Sequence, residues 1–165
     1  MFVVRWATVA LATALVLVLT AAAAATDPRG GELDGYAIGH LPDQIDDRTE
    51  VSDFTYEWED VAFSTRVWER TLEGGGAQVV LQVLVLRGAR LTDLSAVRAF
   101  LAEYHERSPD TWALSTFDHD GVEGLRGETE AFWCPEAGVA VEVRDAFGLL
   151  GTDELLATAR GVRPE

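Results

Sequence analysis

Apolar and polar residues alternate most cleanly near the carboxyl end of the chain. A strand over residues 129–134 meets a turn at Pro135-Glu136-Ala137-Gly138. A second strand then sets Val139, Val141 and Val143 on one face and Ala140, Glu142 and Arg144 on the other, as in a hairpin half buried against a core. A helix follows. Thr152 is its expected N-cap, and Asp153 and Glu154 sit where the helix dipole favours negative charge. Leu155, Leu156 and Ala159 form a narrow apolar face. Gly161 suits a left-handed stop, Arg160 and Arg163 favour the C-terminal end, and Pro164 forbids continuation.

Upstream, Phe54, Tyr56 and Trp58 alternate with polar residues, as in a strand. The parity slips near Asp60, after which Val61, Phe63, Thr65 and Val67 continue on odd positions, so a bulge or break is expected at Glu59-Asp60. Glu73-Gly74-Gly75-Gly76 reads as a hairpin loop. Residues 78–86, QVVLQVLVL, are apolar on both parities, which predicts a central strand covered on both faces. Leu94, Val97, Leu101 and Tyr104, with Phe100 beside them, step at helical spacing. Thr92 or Asp93 caps that helix, Glu103 and Arg107 form an i,i+4 pair, and His105 and Arg107 suit its negative end. Ser108-Pro109 stops it. Asp120-Gly121 is a hairpin turn.

Short helices in water need an apolar surface to bury against. The surface apolar enough here is the sheet carrying residues 79–86 and 139–143. The expected fold is therefore α+β: a mostly antiparallel curved sheet with two helices packed on one face, preceded by an N-terminal hydrophobic export helix. Phe54, Tyr56 and Trp58 then have two roles open to them. On the helix-covered face they complete the core; on the far face they form a partner surface.

The first 25 residues carry one charge, Arg5, followed by an apolar run from Trp6. Ala23 and Ala25 fit the small-residue rule for signal cleavage. Residues 6–25 also match the ~20 needed to span a bilayer, so an uncleaved anchor with Arg5 on the cytoplasmic side is the alternative. Both place the domain outside the cytoplasm, secreted or membrane-anchored. Residues 26–35 read as a flexible linker, and 36–163 as a single domain.

Charge narrows the partners. The chain carries a net charge of −15, and residues 26–165 hold 28 acids against 12 bases, a net charge of −16. Such a domain repels phosphate backbones, so no nucleic acid is expected, and membrane contact only through the N-terminal segment if it is uncleaved. Divalent cations or basic partners stay compatible, although a solvated acidic surface is the plainer reading. Cys134 is the single cysteine; its neighbours Phe132, Trp133 and Pro135 favour burial.

Candidate chemistry is thin. Asp118-His119-Asp120-Gly121 lacks the alternate oxygen ligands and distal glutamate of a calcium loop. His40, His105 and His119 have no metal-ligand spacing. Glu57, Glu59 and Asp60 read as solvent-facing positions rather than a carboxylate pair. Ser64, Ser95 and Ser115 lack a nucleophile-elbow setting, and the glycines at 74–76 lack the lysine of a phosphate loop. No catalytic, cofactor-binding or metal residue is assigned, and no cofactor is expected.

The pattern over residues 120–162 (DG and a strand, AFW, a turn, GVAVEV, then DELLATARGV) resembles the end of exported bacterial domains of unassigned function. It is also similar to the strand–helix ending of lipoprotein-carrier-like domains. The absence of lysine and the YEWEDVAF segment resemble actinobacterial sequences. The resemblance covers about a quarter of the chain and rests on packing motifs, so no catalytic residue carries over. It implies an exported, non-enzymatic accessory or binding domain at the cell envelope, with an envelope protein or an apolar ligand as partner. A small hydrolase or metal-dependent enzyme using acidic residues is the alternative.

Overall fold

The structure is a computed structural model, and it describes residues 30–165. The expected export segment, 1–25, lies outside the described residues. Among the described residues no helix is long and apolar enough to cross a membrane.

Ten strands and two helices follow one another: β1 (Gly31–Leu33), β2 (Tyr36–Ile38), β3 (Thr49–Trp58), β4 (Val61–Thr71), β5 (Ala77–Arg87), α1 (Leu94–Tyr104), β6 (Ser115–His119), β7 (Val122–Arg126), β8 (Glu130–Glu136), β9 (Val139–Arg144), α2 (Thr152–Gly161) and β10 (Val162–Pro164). Seven strands form one sheet in the order β3-β4-β5-β9-β8-β7-β6, and β1-β2-β10 form a second. Every pairing is antiparallel. The class is α+β, as the patterning predicts.

The turns follow from local chemistry. Glu59 and Asp60 have φ of 50° and 60°, a two-residue mirror-image turn whose twist suits a hairpin, and this turn is the source of the parity slip. Asp120 and Gly121, at 51° and 87°, do the same between β6 and β7. So do Asp34 and Gly35, at 49° and 82°, between β1 and β2. The segment expected as a linker is thus a strand from Gly31 onward. Arg66 accounts for its order. It is buried in β4, pairs with Asp53 through two bonds of 2.7 Å, and donates to the carbonyls of Gly30 and Glu32.

The two helices lie on opposite faces of the large sheet, which corrects the one-face expectation. Val97, Phe100 and Leu101 of α1 pack with Phe63, Leu84, Leu86, Phe132 and Ala140. Leu155 and Ala159 of α2 pack with Trp68, Val83, Val85, Trp133, Val141 and Val143. Strand β5 supplies alternate residues to both groups. Each apolar face needs its own cover, and one helix goes to each. The small sheet adds Leu33, Tyr36, Ile38 and Val162 to the α2 side.

The helix ends differ in detail. Asp93 caps α1, its carboxylate accepting from the Ala96 amide at 2.8 Å. The N-cap of α2 is Gly151, at φ 81°, with Thr152 already helical. Gly161 is needed for close approach rather than a left-handed stop: a Cβ there would lie 2.6 Å from that of His40. Glu103 pairs with Arg90 at 3.1 Å instead of Arg107.

Tyr56 and Trp58 share the α1 face. Tyr56 stacks on Phe63 with centroids 4.7 Å apart, and Trp58 meets Phe100 and Tyr104 edge-on, both at 5.3 Å. Phe54, paired with Thr65, is half buried on the same face. Tyr56 and Trp58 therefore complete a core. Leu101→Ala should cost about 2–5 kcal/mol as a cavity mutation. Trp58→Ala should cost about 3 kcal/mol, at the low end of its class because the ring is only partly covered. Urea unfolding measures both; an unchanged midpoint for Trp58→Ala would return that ring to the surface.

Candidate functional site

Strand β9 carries an acid where the α1 face is driest. Glu142 is fully buried, opposite Leu84 of β5 and Phe132 of β8. A lone carboxylate there would be expensive. The first residue after α1 supplies its partner. His105 Nε2 lies 2.8 and 3.1 Å from the two Glu142 oxygens, and the imidazole is itself 7% exposed. The Arg144 guanidinium stands 3.7 Å away. Beside this pair the Tyr56 and Tyr104 hydroxyls share a hydrogen bond of 2.6 Å. Burial, and then that bond, push the Tyr56 phenol far above its ordinary range, so it stays protonated.

A second buried acid stands one step along the face. Glu130 of β8 lies opposite Arg144. It accepts from Trp112 Nε1–H at 2.6 Å and Thr129 Oγ1–H at 2.7 Å, and Arg107 stands 3.4 Å off. Glu130 also borders an open cleft of about 540 Å³, between the segment that follows α1 and the β7–β8 connection. Arg107, Ser108, Thr111, Thr129 and Ala146 line it.

The two carboxylates and His105 are what patterning missed. Glu142 reads as the polar side of an alternating strand, but α1 seals that side. His105 reads as a helix-end residue, which it is, yet its function there is to meet Glu142 across 37 residues of chain. The one signal available was the amphipathic stripe of α1, which demands a sheet face that strand alternation had assigned to solvent.

The other titratable candidates are separate. His40 lies 3.2 Å from Glu154 on the surface. His119 is buried, stacks on Trp133 with centroids 4.2 Å apart, and sits 3.0 and 2.9 Å from the carbonyls of Ala159 and Val162. Both partners are acceptors, so Nε2 carries the proton and ties β6 to the end of α2. Asp118 accepts from Gly121 N within its turn. Glu57 points to solvent and Glu59 is in the turn, so they form no pair. Among the described residues no three His, Cys, Asp or Glu side chains converge as a metal site.

Both oxygens of Glu142 face one imidazole, and both of Glu130 already accept from protein donors. Acid–base work needs a carboxylate within reach of the proton it moves. Glu130 reaches the cleft, and what it offers there is negative charge. No protein-family model, no curated protein and no solved structure matches this chain.

Breaking the Glu142 pair tests its role. His105→Leu alone should cost about 1–3 kcal/mol in urea unfolding, because it leaves the buried Glu142 carboxyl without its hydrogen-bond partner. His105→Leu with Glu142→Met should recover most of that loss; a double variant as unstable as the single would deny that the pair is structural. Cys134 gives a second check. Burial and the nearby Asp93 raise its thiol above the ordinary value, and the thiolate is the reactive form. Iodoacetamide should therefore label the native protein much more slowly than the urea-unfolded chain at neutral pH, with the gap narrowing as pH rises. Equal rates at pH 7 would contradict this.

Proposed function

We propose that this chain is an exported accessory domain at the bacterial cell envelope that binds a protein partner beside the Glu130 cleft. One observation carries the reading. Phe147 is 60% exposed and is the next residue after Ala146 of the cleft lining. The turn that carries it is not loose. Asp145 is fully buried, and its carboxylate accepts from the Leu149 and Leu150 amides, each at 2.7 Å. Its own amide donates to the Thr129 carbonyl at 2.8 Å. An aromatic ring held out on a rigid turn is a feature of recognition surfaces. The polar cleft lining suits a protein better than a lipid, so the partner form is preferred over an apolar-ligand carrier.

Export is supported by residues 1–25, whose apolar run and Ala23-x-Ala25 fit a signal peptide or an anchor. The strand–helix ending, which resembles exported bacterial domains, is in keeping with this. The partner surface then moves from Phe54, Tyr56 and Trp58, two of which help to fill the core, to the Phe147 turn.

Two measurements test the proposal. Residues 1–40 fused to a reporter active only after export should give signal, and a silent fusion would sink the export half. A photo-crosslinking residue at position 147 should give one discrete adduct in the envelope fraction, while the same residue at Glu73 gives none. Equal labelling at both positions would remove the partner surface.

A further inference from the structure

We propose that the Glu130 cleft receives an arginine or lysine side chain of the partner polypeptide, with an apolar neighbour of that side chain against Phe147. This rests on the partner-binding reading and names the chemistry it selects.

Glu130 is 3% exposed, yet it borders an open cleft of about 540 Å³. A carboxylate desolvated this far attracts a cation more strongly than a surface acid does. Its resident counter-ion is weakly held. Arg107 Nη2 stands 3.4 Å from the carboxylate, longer than the ~2.7–2.9 Å of a good charge-assisted bond, and its side chain is 41% exposed. The fixed donors on Glu130, Trp112 Nε1–H and Thr129 Oγ1–H, hold the carboxylate in place. Arg107 is the exchangeable one.

The surroundings select for a cation. Glu128 is exposed on the cleft lining, and hydroxyls of Ser108, Thr111 and Thr129 are acceptors for guanidinium or ammonium hydrogens. The chain as a whole carries −15, which steers basic segments toward it. The Trp112 ring, over which Arg107 already lies at 6.0 Å, adds an attraction for cations. Phe147, exposed and next in the chain to Ala146 of the lining, is the apolar side chain available to the incoming segment.

The test is a titration of the full-length protein with a capped peptide holding one arginine between two leucines. The control peptide replaces arginine by citrulline, which keeps the shape and removes the charge. The arginine peptide should bind about tenfold more tightly or better. Glu130→Gln should abolish the difference, and Glu73→Gln, on the exposed β4–β5 hairpin, should leave it intact. Arg107→Ala should tighten binding several-fold by vacating the carboxylate, whereas Arg48→Ala, the same charge change elsewhere, should not. That comparison keeps the test decisive if Glu130→Gln fails to fold. Equal binding of the two peptides, no binding of either, or equal effects of Arg107→Ala and Arg48→Ala would overturn the proposal. With the position-147 adduct still formed, only this inference falls; loss of that adduct removes the partner reading itself.

Discussion

Val83, Val85, Val141 and Val143 point to one side of the paired strands β5 and β9, and Leu84, Leu86 and Ala140 to the other. Both sides must be sealed from water, and the rest of the molecule is arranged to do so. On one side α1 does this with the segments that flank it: Phe100 and Tyr104 reach Trp58 and Phe63 on β3 and β4, while Leu91 and Trp112 join the same core and Trp112 stacks on Phe132. On the other, α2 brings Leu155, Thr158 and Ala159 to full burial, and only Leu155 and Ala159 of these are apolar. That stripe is too narrow to cover the sheet. The small sheet of β1, β2 and β10 supplies the missing area with Leu33, Tyr36, Ile38 and Val162. Arg66, buried and paired with Asp53, then holds β1 against β4.

Within the α1 face, Glu142 is an anomaly with a purpose. Exchanging a buried, mutually bonded polar pair for apolar residues of the same shape is often neutral or stabilising, so net stability does not explain its presence. Geometry does. A purely apolar face would let α1 slide along its stripe. The Glu142 carboxylate meets the residue that ends the helix, and so sets where α1 stops on the sheet. Glu130 does the same for the next segment through Trp112 and Arg107. The cleft is the space left between that tethered segment and the β7–β8 connection.

Turns and one cap set by near neighbours were legible in the sequence, whereas the Thr152 cap, the Gly161 stop and the Glu103–Arg107 pair gave way to Gly151, to close packing on His40 and to Arg90. Glu59-Asp60, Asp120-Gly121 and the Asp93 cap depend on residues at most a few positions apart, and they stand as their chemistry dictates. The double parity of residues 78–86 announced a strand covered on both faces. Carried one step further, it also required two covers, which the one-face arrangement ignored. Parity says that a face is apolar; it does not say which helix reaches it. The acids needed longer-range knowledge still. Glu142 and Glu57 look alike as polar positions in alternating strands, yet one is fully buried and the other exposed. What separates them is the strand order of the sheet, β9 at its centre and β3 at its edge.

The exposure of Phe147 follows from the same kind of competition. Burying a phenylalanine side chain is worth roughly 1.5–3 kcal/mol, so a free loop would fold the ring inward. The turn is not free. The Leu149 and Leu150 backbone N–H groups donate hydrogen bonds to the Asp145 carboxylate and hold the turn, and hydrogen bonds to a charged group are worth roughly 1.5–3 kcal/mol each. Turning Phe147 inward would break that pair and leave a fully buried carboxylate without donors. It would also pull out Leu150, which the present turn places in the α2 core at 8% exposure. The balance favours the ring outside. Asp145 thus fixes at once the entry of α2 and the one large aromatic side chain that the described fold leaves mostly in solvent.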